Sequence, residues 1–370
     1  MQQPIRILQL FTILNRGGAE TNVMNYYRKL DKTKFQFDFV VHREEKGAYE
    51  DEILSLGGKI FRFQNINPLK LENYKLQIKQ FFDFHDYQII HGQCSELGYF
   101  FYKEASKRNV PVIIAHGHNS KSKVDLKFPF RWFWKKSMMR YVNTYFSCGE
   151  EASVWLFGKE KAKEAFTMTN AVDSQLFAYK EEKSLQTRKE LDAEQTKNFI
   201  HVGRFNVQKN HEFLIAVFHL LLQRDSQQQL FLVGEGELKL TIQEQVKNLG
   251  IEEKVTFLGS RSDVNELLQG MDVFLFPSLF EGLPVSLVEA QASGVQCVIS
   301  DGIPKEAILI PERVTVISLK ESAIQWANKI QALNPFDKKD VSPIIKAKGY
   351  DIDSNVQILE EKYLSLLRKK

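Results

Sequence analysis

Two tandem α/β domains, each a doubly wound parallel sheet of Rossmann type, are what the sequence predicts, and three observations predict it. The 370 residues exceed what one ordinary core organises and fit two domains of about 150–200 residues. Short runs of Val, Ile, Leu and Phe alternate with helical patterns, and the runs lack the in–out alternation of a half-exposed strand. A polar stretch of weak periodicity, residues 170–197, separates two such series and is the candidate link.

In the first series an apolar strand over 5–10 stops at Asn15-Arg16-Gly17-Gly18, and a helix runs over 19–30. Strand, glycine loop, helix is the opening of a doubly wound domain. Strands follow at 36–41, 59–63, 87–91 and 111–115, with helices at 47–56, 69–84 and 96–107. Another strand ends at Phe146-Ser147-Cys148, and a helix covers 150–157. Residues 127–146 interleave aromatics with Arg131, Lys135, Lys136 and Arg140. On a helix, positions 131, 135 and 136 share one side, near Phe133 and Trp134. Two readings stay open, an amphipathic helix packed on its own domain and a patch that rests on an anionic bilayer.

The second series has strands at 199–202, 230–233, 254–258 and 273–276, and helices at 210–222, 236–249 and 264–269. It leads into residues 274–301, strand, loop, helix, strand, the stretch on which the chain is organised. Pro284 is expected in the first helical turn, where its fixed φ and missing N–H cost nothing. Gly282 lets backbone approach a ligand. The amides of Gly282, Leu283 and Val285 would point out of the helix N-terminus, a seat for phosphate. Glu281 lies in the loop and Glu289 inside the helix. Helical patterns at 321–333 and 355–368 complete the chain.

Composition excludes several classes. No uncharged apolar run approaches the ~20 residues of a membrane span, and MQQPIRILQLF has no basic segment ahead of a long apolar run, so no secretory signal is expected. Cys94, Cys148 and Cys297 are odd in number and far apart, which argues against a disulfide frame or a zinc site. The chain reads as cytoplasmic. Residues 1–173 carry 26 Lys and Arg against 19 Asp and Glu, whereas the rest carries 24 against 27. The basic first half therefore faces something anionic, and no recognition motif points to nucleic acid.

The loops after the second-series strands hold the candidate chemistry. Gly203-Arg204 and Lys209 follow its first strand, and cations at the carboxyl end of a parallel strand stand where open α/β sheets bind ligands. Val233-Gly234-Glu235-Gly236 and Gly259-Ser260-Arg261-Ser262-Asp263 have the same placement as Glu281–Pro284. One sheet edge that carries cations, close-approach backbone and carboxylates suits a phosphorylated, hydroxyl-rich ligand.

The combination of GGAE at 17–20, GRFNVQKN at 203–210 and EGLPVSLVEAQASG at 281–294 resembles the family 4 retaining glycosyltransferases, in particular their bacterial exopolysaccharide and capsule branch. The resemblance covers nearly the whole chain. It implies a GT-B fold: an acceptor-side domain over 1–172, a nucleotide-sugar domain over 173–354, a cleft between them, and a terminal helix over 355–370 crossing back to the first domain. It implies Arg204 and Lys209 on the donor diphosphate, Glu289 on the ribose and Glu281 beside the transferred sugar. The Gly282, Leu283, Pro284 and Val285 segment would lie on the sugar hydroxyls and phosphates. Arg261, Ser262 and Gly234 would lie at the base, and Gly17 and Gly18 over the diphosphate. A catalytic histidine is expected after the fifth strand, with His118 preferred, His116 second and His91 weaker. The resemblance further implies a hexosyl unit leaving a nucleotide-sugar, UDP-linked in the first instance, for a saccharide acceptor on a lipid carrier. The enzyme would rest on the inner face of the cytoplasmic membrane through the basic–aromatic segment. No metal and no other cofactor is expected; Asp351-Ile352-Asp353 spells a metal-binding pattern, but Asp353 or Ser354 is read as a helix cap and the pattern as coincidence. A nucleotide-sugar epimerase and a silent partner of another transferase are the alternatives.

Overall fold

The computed structural model describes residues 3–67, 70–118, 128–334 and 337–368. Leu69, Lys127, Asn119 and the last two residues, which figure in the predicted helices and loops, lie outside them. The chain divides into two units, residues 1–169 with 352–370, and residues 170–351.

In the first unit seven parallel strands, Ile5–Leu10 (β1), Phe35–Val41 (β2), Ile60–Arg62 (β3), Ile89–Gly92 (β4), Val112–Gly117 (β5), Thr144–Ser147 (β6) and Phe166–Thr167 (β7), lie in the order β3-β2-β1-β4-β5-β6-β7. Every residue of β2 is buried, including Gln36 and Asp38, which Tyr27 and Arg6 hydrogen-bond. Helix Gly18–Lys29 follows the glycine loop, with Glu20 in its first turn and Arg28 and Lys29 in its last, the arrangement the helix dipole favours. The terminal helix Ile352–Arg368 belongs to this unit. It buries Val356, Leu359 and Tyr363, and the Tyr363 ring lies 5.9 Å from that of Phe35 and 6.4 Å from that of Phe37.

The second unit has six parallel strands, Lys197–Val202 (β8), Gln228–Val233 (β9), Val255–Gly259 (β10), Val273–Phe276 (β11), Gln296–Ser300 (β12) and Val314–Ile317 (β13), ordered β10-β9-β8-β11-β12-β13. Its core gathers Phe199, Phe218, Leu232, Leu275 and Trp326.

Two predicted features are corrected. Residues 170–197 are not an irregular link, because helices Ser174–Phe177 and Glu181–Glu190 occupy half of them. The second is almost wholly polar, so no apolar period announces it. Acidic Glu181 and Glu182 at its start and basic Arg188 and Lys189 at its end favour it instead. The helix expected over 96–107 is a 3-10 turn, Ser95–Gly98, followed by an α-helix, Tyr99–Lys107.

Candidate active site

The second sheet reverses its winding between β8 and β11. Loops that leave two strands at such a point diverge to opposite faces and open a crevice beyond the strand ends. Here they are residues 203–210 and 277–284, and they are tied together. The Leu279 N–H donates to the Gln208 carbonyl at 2.8 Å. The Gln208 side chain donates to the Phe280 carbonyl at 3.0 Å and to Glu281 Oε2 at 3.1 Å. Lys209 Nζ lies 2.8 Å from Glu281 Oε1 and 4.4 Å from the centre of the Phe276 ring.

Local sequence sets Lys209 in place. The Asn206 side chain accepts the Lys209 N–H at 3.1 Å and closes the turn Val207–Lys209. Asn210 then takes a left-handed conformation, φ 56°, which asparagine tolerates better than most residues, and helix His211–Leu222 begins. The Lys209 and Glu281 side chains are 13% and 8% exposed, so both charges have left most of the water and depend on each other.

The other predicted residues surround this pair. Arg204 is exposed and has no ion-pair partner among the described residues. Glu289 is buried one turn into helix Val285–Ala292. That helix starts at Val285, so Pro284 is its N-cap rather than part of its first turn. With ψ at 114° it is still extended, while its carbonyl accepts from Leu287 and Val288 at 3.1 and 3.3 Å. Leu283 and Val285 are buried, and the Leu283 carbonyl accepts from the Asn170 side chain. Gly234 has φ 141°, and a Cβ there would lie 2.1 Å from the Gly203 carbonyl oxygen, so close packing of the loops by itself demands glycine. The Arg261 guanidinium is taken as a fork by Asp263, and Ser262 is exposed.

In the first unit, Gly17 is the N-cap of helix Gly18–Lys29, and a Cβ on Gly18 would meet nothing within 4 Å. Strand β5 runs through Gly117, past its predicted end at 115, and this settles where the histidines stand. His116 is inside the sheet and fully buried, with Nδ1 3.0 Å from His91 Nε2. His118, the first residue beyond the strand, is half-buried and places Nε2 2.7 Å from Gln93 Oε1. The rings of His116 and His118 stack at 4.1 Å. His91 Nδ1 meets the Tyr363 hydroxyl at 2.8 Å.

The basic–aromatic segment is corrected in detail. Helix Phe128–Met138 turns Trp134 and Met138 to the core and leaves Phe130, Trp132 and Phe133 exposed. Of the three cations only Lys136 is exposed: Arg131 is half-buried and acts on the buried Glu96 together with Lys135, which is turned inward. The Lys135 ammonium lies 3.7 Å over the Trp155 ring and donates to the Trp155 carbonyl, and burial lowers its pKa. Lys136 lies 4.1 Å over Trp132. Of the Asp-x-Asp pair, Asp351 accepts from the Ser174 hydroxyl and Asp353 pairs with Lys29 at 3.0 Å.

Sequence reasoning missed Gln208, Asn170, Gln93 and Tyr363. Gln208 lay inside the quoted GRFNVQKN, but an amide beside a lysine carries no signal until Glu281 is known to face it. The other three touch residues far away in the chain.

Burial pushes the His118 imidazole down to about 4 and that of His91 to about 3, with His118 also disfavouring a second charge on His91, and it holds His116 well below the ordinary range. In the second unit burial lowers His211 to about 3 and His201 well below its usual value. Unfolded, these rings bind protons near pH 6.5, so the stability they contribute is whole above that value and is lost as pH falls toward 4 and 3. Melting temperature is expected to drop steadily from pH 6.5 to 4; a flat profile over that range would exclude neutral buried rings. For the ion pair, Lys209→Ala leaves the Glu281 carboxylate buried without its ammonium, and about 3–5 kcal/mol of stability should go. Lys209→Met combined with Glu281→Gln should recover most of it in urea denaturation.

Comparison with known proteins agrees with this architecture. Residues 182–347 match the family described as glycosyl transferases group 1. The chain is 35% identical over 371 residues to the putative glycosyltransferase EpsF of Bacillus subtilis, covering 97% of this chain and 96% of that protein. It is 23% identical to the capsular polysaccharide biosynthesis glycosyltransferase CapH of Staphylococcus aureus, over 98% of this chain and 99% of CapH. The Anabaena HepE structure with UDP and glucose superposes with a TM-score of 0.80 at 17% identity, covering 98% of this chain and 100% of HepE. With a full-length relative at that identity and two parallel-sheet α/β domains of the GT-B kind, the chain belongs to the glycosyl transferases group 1 family and is a glycosyltransferase of the polysaccharide-synthesis type.

Proposed function

We propose that the protein moves a hexosyl unit, with retention at the anomeric carbon, from a UDP-sugar to a saccharide acceptor on a lipid carrier in exopolysaccharide or capsule synthesis. The observation that carries this reading is the buried Lys209–Glu281 pair at the sheet's switch point, with the exposed Arg204 on the same loop. HepE, which shares the fold, was solved with UDP and glucose, and this supports a UDP-sugar donor.

In this reading Arg204 and Lys209 take the donor diphosphate, the first as a planar fork and the second as a point charge. The N-terminal amides of helix Val285–Ala292 add partial positive charge. Glu281, its two oxygens already oriented by Lys209 and Gln208, accepts hydroxyls of the moving sugar with its remaining lone pairs. Glu289 accepts the ribose hydroxyls. The anomeric carbon–phosphate oxygen bond breaks while the acceptor oxygen bonds to the same face, and the acceptor's proton passes to the departing phosphate oxygen. Negative charge grows on that phosphate, so fixed cations beside it lower the barrier. Arg204 and Lys209 supply this charge, and the reaction needs no divalent metal. In the first unit His118 faces the donor sugar and His116 supports it from the core, a division their burial favours.

Among the described residues no helix is long and apolar enough to cross a membrane. The acceptor's lipid is met instead by Phe130, Trp132 and Phe133, which sit at headgroup depth on an anionic bilayer, with Lys136 and Arg140 as the nearby cations.

Titration calorimetry with UDP-, GDP- and ADP-glucose should give binding with the UDP sugar, undiminished by EDTA. Arg204→Ala should weaken it about tenfold to a hundredfold, the worth of a charge-assisted hydrogen bond, without loss of fold. No heat with any of the three donors sinks the donor reading. Flotation with anionic vesicles should recover the protein, and Trp132→Ala with Phe133→Ala should abolish recovery, whereas Lys135→Gln should leave it nearly intact. Equal recovery of the double variant would refute the aromatic face.

A further inference from the structure

The first unit contains buried polar groups, Gln93, Gln9, Tyr363 and His91, that no role above requires. Gln93 is 6% exposed and Gln9 1%, yet neither is a surface residue turned inward by chance, since each is tied to the other. Gln93 Nε2 donates to Gln9 Oε1 at 2.9 Å. Gln9 in turn lies beside Tyr363, whose hydroxyl meets His91 Nδ1 at 2.8 Å. His91 Nε2 meets His116 Nδ1 at 3.0 Å, and the His116 ring stacks at 4.1 Å under that of His118. The circuit starts and ends on His118, since Gln93 Oε1 lies 2.7 Å from His118 Nε2.

The direction of these bonds decides which proton His118 carries. An amide has one donor end and one acceptor end. Gln93 spends its NH2 on Gln9, so the end it turns to His118 is the carbonyl oxygen. A carbonyl accepts only, so Nε2 must bear the hydrogen. In a neutral imidazole Nδ1 is then a bare lone pair. His118 Nδ1 has no hydrogen-bond partner among the described residues, and the residue is half-buried. The ring is thus left with one fixed nitrogen and one available acceptor.

We propose that Gln93, Gln9 and Tyr363 are positioning residues that lock His118 as the Nε2–H tautomer, so that its Nδ1 accepts a hydrogen bond from a hydroxyl of the transferred sugar. This rests on the reading that places His118 at the donor sugar. It gives the terminal helix a direct part in transfer, because Tyr363 comes from that helix and closes the circuit. It also defines the group recognised: a hydroxyl can donate to a lone pair, while a carboxylate at the same point would be repelled.

The test begins with the free full-length protein labelled with nitrogen-15 in histidine, the His118 signals being identified by their loss in His118→Asn. Long-range proton–nitrogen correlation should show one tautomer, with the proton on Nε2. A proton on Nδ1, or an even mixture, overturns the proposal without reference to any substrate. Tyr363→Phe and Gln93→Met should each turn the single tautomer into a mixture while melting near the wild-type temperature. If Gln93→Met does not fold, Tyr363→Phe alone decides, since it removes one oxygen and keeps the ring packed on Phe35 and Phe37. Saturation with UDP-glucose, but not UDP, should shift the Nδ1 resonance. If UDP-glucose binds and Nδ1 does not move, the acceptor role is wrong. If UDP-glucose does not bind at all, the donor reading fails while the tautomer result stands. In steady state Tyr363→Phe should lower kcat by about tenfold, one hydrogen bond's worth, with little change in KM for the donor; a KM effect alone would mark a purely structural residue.

Discussion

The contact on which the second domain depends is the ammonium of Lys209 against the carboxylate of Glu281, both nearly out of water. Neither charge could be left there alone, because an unpaired buried ion is costly by several kcal/mol. The two residues lie on loops from different strands, so the pair exists only because β8 and β11 are neighbours in the sheet while far apart in the chain. What looks like decoration around it follows from that requirement. Asn206 closes the turn that presents Lys209, Asn210 redirects the chain into its helix, and Gln208 holds the second carboxylate oxygen. Gly234 lets the loop after β9 press against Gly203 so that the floor of the crevice is backbone.

The first domain solves a different problem by similar means. In the proposed role His118 must be neutral and must offer a defined nitrogen, and burial alone secures only neutrality. Hydrogen bonds secure the nitrogen, and they need partners whose own ends are already committed. Gln9 from β1, Gln93 after β4, His116 from β5 and Tyr363 from the terminal helix supply them from four separate places in the chain. Their junction is the switch point of the first sheet, where β1 and β4 pair. Each domain therefore gathers its candidate groups where its winding reverses, one as a buried ion pair and one, in the proposed role, as a fixed tautomer.

How much of this could be read from the sequence follows from the range of the interactions. A strand such as β11, a continuous apolar run bounded by turns, declares itself because burial on both faces is a local property of composition. The loop motifs at 203–210 and 281–294 also declare themselves, since glycine, proline and charge stand at fixed short spacings. The polar helix Glu181–Glu190 does not, because its support is in capping charge and not in apolar period. Ala115-His116-Gly117-His118 reads as a strand end, whereas pairing of His116 with Phe146 and of Gly117 with Ser147 carries β5 further. Lys135 was assigned to an outward face because helical spacing gives angle alone, and it cannot reveal that Trp155 offers a ring and a carbonyl within reach.

The correction at Lys135 changes what the helix Phe128–Met138 can do. A patch held on a bilayer by four cations would release readily in salt, since exposed charge attraction decays within about 8–10 Å at ordinary ionic strength. With Lys135 turned inward and Lys136 resting over Trp132, the surface left outward is chiefly Phe130, Trp132 and Phe133. Burial of such rings is insensitive to screening and scales with area, about 25 cal/mol per Å². In the proposed membrane role, attraction to anionic headgroups would concentrate the protein near the surface and the rings would hold it there. The excess of basic residues over the first 173 positions would serve that approach.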